Sequence, residues 1–198
     1  MTPVACERAG PEHLAGLCAL FRATGCTCYC RWWHFAGDDD RWQERSLGAG
    51  DESRHELERA VRDRSAEALG VVATDAATGG LVGWLKLCPA AAMSKLRTRR
   101  PYRGLGYLAR DPGDVYVIGC MLVHPAARRR GVARALVEAA LALAAELGAR
   151  SIEAVPRVAH GPVRDEELWT GPPSTLLSLG FEPVAGIDAY PVLKRSLR

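Results

Sequence analysis

The feature that most constrains this chain is one continuous unit of strand, turn, helix and strand in its second half. Val115 to Val123 is a nearly unbroken apolar run, which predicts a central strand buried on both faces. Pro125 stops it, and the basic triplet Arg128 to Arg130 follows. An alanine-rich stretch then predicts a helix from about Gly131 to Leu147, capped by Gly148, before a second core strand at Ile152 to Val155. Two strands joined through a helix imply a right-handed parallel crossover, which makes the class α/β. Gly119 interrupts the central strand, where glycine marks a bulge or the close approach of another backbone or a ligand.

The rest of the chain supplies partners for this unit. Val4 to Arg8 predicts a short strand, and Pro11 opens a helix with Leu14, Leu17, Cys18 and Phe21 at helical spacing. Asp51, as N-cap, begins a surface helix that runs to Arg64. Leu69 to Thr74 and Leu81 to Leu87, separated by a turn-rich linker, predict an antiparallel pair. Ser174 to Leu179 predicts a short helix, followed by a closing hairpin of Phe181 to Val184 and Ile187 to Leu197. With 198 residues, 48% of them hydrophobic, and no linker or repeat, one domain over residues 1–198 is expected.

Charge excludes more than it selects. The 26 basic and 23 acidic residues leave a net +3, too balanced for a general nucleic-acid or membrane-surface binder. The longest apolar stretch, Val132 to Ala149, is interrupted by Arg134, Glu138 and Glu146 and reads as a soluble helix. Met1 to Gly10 has no signal-peptide pattern, so a cytoplasmic location and reduced thiols are expected for the seven cysteines. Cys26, Cys28 and Cys30 lie near His34, but their spacing lacks the Cys-x-x-Cys pairs of structural zinc sites. No metal is expected there, and a thiol-lined acceptor pocket or packing is preferred. Tyr29, Trp32, Trp33 and Phe35 read as the wall of such a pocket or as core. Six basic residues from Lys95 to Arg110, with no acid among them, fit a solvated loop, with a phosphate, an acidic substrate or RNA as its alternatives.

The turn before the long helix carries the chemistry. A helix N-terminus offers unpaired N–H groups and the positive end of the dipole, and the preceding turn adds a nest of amides. Gly131 and Ala133 keep the backbone open to phosphate oxygens, while the arginines add charge. At Arg128-x-x-Gly131-x-Ala133 the sequence resembles the GNAT superfamily of acyl-CoA N-acyltransferases, whose phosphate turn reads Arg/Gln-x-x-Gly-x-Gly/Ala. The resemblance runs from about Leu69 to Val184 and includes Leu179-Gly180-Phe181-Glu182. The Cys-x-Cys cluster, Glu153-x-x-Pro156 and Gly171 are similar to a bacterial subgroup of that superfamily.

The resemblance implies a mixed central sheet with a splayed parallel strand pair and flanking helices. It implies that Arg128, Arg129, Arg130, Gly131, Val132 and Ala133 bind the diphosphate of acetyl-CoA, and that backbone groups of Met121, Leu122 and Val123 pair with pantetheine. The thioester then lies near Gly119 and Cys120, where N–H groups stabilise the oxyanion and direct transfer proceeds by proximity. Many family members place a glutamate on the central strand, but Tyr116-Val117-Ile118 stands here, so Glu153 on the neighbouring strand is the leading candidate base. The late helix has no tyrosine, which leaves Tyr116 and Cys120 as fallback proton donors. The expected reaction is acetylation of a primary amine on a small metabolite. A protein or peptide acetyltransferase and a non-catalytic acyl-CoA sensor are the alternatives, and a homodimer is left open.

Overall fold

The computed structural model describes residues 4–47, 51–110, 112–159 and 161–197; the first three residues of the stretch scanned for a signal peptide lie outside them. Seven strands form one sheet: β1 (Val4–Arg8), β2 (Gly70–Asp75), β3 (Leu81–Pro89), β4 (Val115–Val123), β5 (Ser151–Ala154), β6 (Glu182–Ile187) and β7 (Tyr190–Ser196). Their order across the sheet is β1-β2-β3-β4-β5-β7-β6. The longer helices are α1 (Leu14–Ala23), α2 (Asp39–Leu47), α3 (Asp51–Arg62) and α6 (Val132–Glu146). The short ones are α4 (Ser94–Thr98), α5 (Gly106–Ala109) and α7 (Pro173–Ser178).

The apolar run of β4 is central, as its composition requires. It pairs antiparallel with β3 and parallel with β5. The crossover helix α6 buries Leu136, Val137, Ala140 and Ala144 against Val71, Leu85, Ile118 and Ile152 on one face of the sheet. On the other face α1 and α3 bring Leu17, Leu20, Phe21 and Leu57 to Val72, Trp84, Cys120 and Leu122. A third cluster, with Trp33, Met93, Tyr102 and Leu108, covers Val115, Val117 and Val155 beside it. The closing hairpin adds β7 antiparallel to β5, so the sheet extends past the parallel pair.

Helix α2 forms in a stretch to which no element was assigned, and two local readings change: Asp51 is the first residue of α3 instead of its cap, and the basic stretch Lys95 to Arg110 holds α4 and α5. That stretch is not simply a solvated loop. Lys95 reaches the Gly37 carbonyl, Arg97 Nε donates to the Leu108 carbonyl at 2.9 Å, and Arg110 pairs with buried Glu153.

Candidate active site

Parallel pairing between β4 and β5 covers only Val115 to Ile118 against Ser151 to Ala154, while β4 runs on to Val123. The two strands therefore part at Ile118 and Ala154. At the same point β4 carries a bulge: Lys86 faces Cys120 and Leu87 faces Ile118, so Gly119 is the extra residue. The bulge resets which way side chains point. Tyr116, Ile118 and Met121 face α6, whereas Val117, Cys120 and Leu122 face the opposite side.

A cavity of about 830 Å³ extends along the free part of β4. One end is the turn before α6, where Arg128, Arg129, Gly131, Val132 and Ala133 line it. Gly131 has φ 85° and Arg129 φ 60°, so the turn is wound through left-handed conformations that open backbone amides outward. Arg128 Nε donates to the Val123 carbonyl at 3.3 Å, which ties the turn to the strand end. The wall continues through Val123, Leu122, Met121 and Cys120 to Trp33 and Trp169. Cys26, Cys28 and Cys30 line it as well, as expected of a thiol-lined pocket.

The far end is closed by tryptophans. Trp33, 1% exposed, donates its indole N–H to the Gly119 carbonyl at 2.7 Å, and the Met121 N–H donates to the Trp169 carbonyl at 2.6 Å. A Cβ at Gly119 would meet Trp33 Nε1 and Met93 Cε at 3.1 Å, so glycine lets the indole come this close without displacing either neighbour. The strand edge expected to receive pantetheine is thus held here by the protein's own groups.

The expected site residues divide accordingly. Met121, Leu122, Val123, Arg128, Arg129, Gly131, Val132, Ala133 and Cys120 line one cavity; Arg130 does not, and its Nη1 donates to the Ala126 carbonyl at 3.4 Å. Tyr116 points to the α6 side and packs against the core there. Glu153, 2% exposed, accepts a 2.9 Å hydrogen bond from Tyr107 and is paired with Arg110. It ties the basic segment to β5 and is not among the residues that line the cavity. Cys120 lines the cavity, but hydrogen bonding with Cys30 and burial push its thiol well above the usual range. A proton held that tightly transfers unfavourably to a departing thiolate.

Among the described residues no carboxylate lines the cavity, and no group of three or more His, Cys, Asp or Glu is arranged to hold a metal ion. Cys26 and Cys28 have sulfurs 3.4 Å apart. The Cys26 thiol hydrogen bond draws the Cys28 thiol down, with help from the Lys86 charge. Missed by sequence reasoning was Arg99, whose guanidinium sits among Trp32, Trp33, Tyr102, Trp169 and Tyr190 at 5.5 to 5.9 Å. Its position in a basic run was the only signal, and nothing in that run separates it from its neighbours.

Strands that part at a bulge beside a left-handed turn at a helix start are the arrangement expected of an acyl-CoA-dependent N-acyltransferase. The family model described as the acetyltransferase (GNAT) family matches residues 29–161, and the chain belongs to that family. A sequence search of curated proteins found no match. Among solved structures the chain is similar to PaiA N-acetyltransferase from Thermoplasma acidophilum in complex with coenzyme A, at 9% identity and TM-score 0.55, covering 98% of this chain and 99% of that one. An acetyltransferase of the GNAT family from Listeria monocytogenes 4b F2365 gives 15% identity and TM-score 0.57, with 98% and 94% covered. A phosphinothricin acetyltransferase from Sinorhizobium meliloti in complex with acetyl-CoA gives 16% and 0.52, with 99% and 89% covered. At such identities these likenesses concern the fold. Among the described residues no helix is long and apolar enough to cross a membrane.

Proposed function

We propose that residues 1–198 act as one domain that moves the acetyl group of acetyl-CoA directly to the primary amine of a small metabolite. The observation that carries this reading is one cavity that runs from the Gly131 turn to Cys120 and Trp33 beside the Gly119 bulge. It has room for a diphosphate at one end and a thioester at the other. The amides of the turn and the N-terminus of α6 hold the diphosphate, with Arg128 and Arg129 supplying charge. Pantetheine follows β4, its amide taking the Met121 N–H from the Trp169 carbonyl. Backbone N–H groups at the bulge face the thioester oxygen as the amine adds to its carbon, the C–S bond breaks and CoA leaves as the thiolate.

A bound ammonium must lose a proton before it attacks. Among the described residues no carboxylate lines the cavity, and Cys28, whose thiol is drawn down by the Cys26 hydrogen bond, is an ionisable wall group placed to accept it. The enclosed aromatic end supports a small acceptor over a peptide side chain presented from a folded protein. The test is mass-spectrometric detection of N-acetyl product together with stoichiometric free CoA across a panel of small amines and peptides. Product only from peptides, or acetyl-CoA turnover without any N-acetyl product, refutes the small-amine reading.

A further inference from the structure

Among the described residues Arg99 is the one arginine seated among five aromatic rings, and no carboxylate there lies within ion-pair distance of it. Its surroundings are specific. Trp33, 5.9 Å from the guanidinium, caps Gly119 at the end of the β4 pairing. Tyr102, 5.6 Å away, donates its hydroxyl to the Val155 carbonyl at 3.3 Å, just past the last paired residue of β5. Trp32, Trp33 and Trp169 also line the aromatic end of the cavity, so the guanidinium stands directly behind that wall, near the end where the acyl group and the acceptor must meet, without itself being a lining residue.

Other enclosed guanidinium groups have oxygens: Arg31 pairs with Glu56 and Glu67, Arg110 with Glu153, and Arg97 donates to the Leu108 carbonyl. Among the described residues the Arg99 guanidinium meets π faces, which orient it and offset its desolvation but accept no in-plane hydrogen bond. Its Nη1 is buried without a hydrogen-bond partner. A charged donor left in this way costs more than the ~1–3 kcal/mol of a neutral one, so a purely structural arginine would be expected to have found an oxygen.

We propose that Arg99 anchors an oxyanion of the acceptor, so that the acceptor is an amine that also bears a carboxylate, as an amino acid does. This deepens the acetyl-transfer reading and rests on it for the identity of the reacting amine. The charge around the site agrees. Lys95, Arg97, Arg100 and Arg103 come from the same segment, and its nearby acid, Glu153, is engaged by Arg110 and Tyr107. An anionic group is attracted there and a dication is repelled. The rings hold the planar fork of the guanidinium for two parallel hydrogen bonds to a carboxylate, which an ammonium cannot reproduce. Its positive charge also favours the neutral form of the neighbouring acceptor amine, the form that attacks.

The experiment uses matched pairs: each standard amino acid against the amine that remains on its decarboxylation. Binding is read from tryptophan fluorescence, since Trp32, Trp33 and Trp169 surround the guanidinium, and turnover from N-acetyl product. At least one amino acid should bind saturably, about tenfold or more tighter than its decarboxylated partner. Arg99→Lys, which keeps the charge within the rings, should weaken that amino acid by about tenfold while leaving acetyl-CoA affinity and the circular dichroism spectrum as they are. Arg99→Gln should abolish the preference. Equal affinity within every pair, no saturable amino acid, or a preference that survives both substitutions overturns the proposal. Because the fluorescence arm needs no turnover, amino-acid binding without acetylation would instead count against the acetyl-transfer reading alone.

Discussion

Trp33 donates its indole N–H to the carbonyl of Gly119 at 2.7 Å, across a separation of 86 residues. The bond fills the bulge of the central strand with a side chain from the irregular segment after α1. Both partners are buried, so a lost donor is not replaced by solvent. Trp33→Phe should therefore cost about 1–3 kcal/mol in stability, read by urea titration with an unchanged slope. A loss below about 0.5 kcal/mol would mean that another group satisfies the Gly119 carbonyl.

The diphosphate site calls for a probe other than Gly131. With φ 85°, Gly131 accepts no L side chain without strain, so lost binding in a Gly131 variant would be confounded with a distorted turn. Ala133 is the second residue of α6 and half-buried, with ordinary helical surroundings. Ala133→Glu suits the helix dipole yet places negative charge beside the diphosphate. Acetyl-CoA affinity should fall by about tenfold or more in calorimetric titration, with the melting temperature within a few degrees of the parent. Unaltered affinity in the folded variant would remove the turn from the coenzyme site.

Glu153 should behave as a fastener of the basic segment. Glu153→Gln keeps an acceptor for Tyr107 but leaves Arg110, whose side chain is 33% exposed, without its carboxylate. A stability loss of about 1–3 kcal/mol is expected, smaller than for a fully buried pair because Arg110 reaches water. Turnover at saturating acceptor should stay within about threefold, with the pH–rate profile unmoved. A large fall in turnover that shrinks at high pH, with stability intact, would return Glu153 to the role of base.

His34 ties stability to pH. Burial first, then the charges of Lys86 and Arg31, push its pKa down from 6.5 to about 3, and its Nδ1 lies 2.9 Å from the Ala92 carbonyl, which only a protonated Nδ1 satisfies. Between about 3 and 6.5 the unfolded chain takes up a proton that the folded one refuses. Stability from this residue is therefore full above pH 6.5 and declines as pH falls toward 3. His34→Gln should lose less stability than the parent between pH 7 and pH 4, measured by denaturant titration at each pH. Parallel declines in the two proteins would show that other groups govern acid unfolding.

The sequence alone determined the elements whose cause is local. An apolar run bounded by Pro125 has to be a buried strand, and β4 is Val115–Val123 as read. An alanine-rich segment between Gly131 and Gly148 has to be a helix, and their spacing to Arg128 sets the left-handed turn beside the strand end. Gly119 was legible as a bulge or a point of close approach, and it is both: the extra residue of β4 and the acceptor of the Trp33 indole N–H. What only the tertiary structure decided is where side chains far apart in the chain converge. The bulge turns Tyr116 toward α6 and Cys120 toward the cavity, a parity that no periodicity counts across a bulge. Glu153 spends its carboxylate on Arg110 and Tyr107, more than forty residues away, and so leaves the cavity wall. Arg99 became distinct from its basic neighbours only when rings from four separate segments closed around it. Strand and helix follow from a residue's own neighbours, whereas the environment of a charge depends on whatever the folded chain brings within a few ångströms of it.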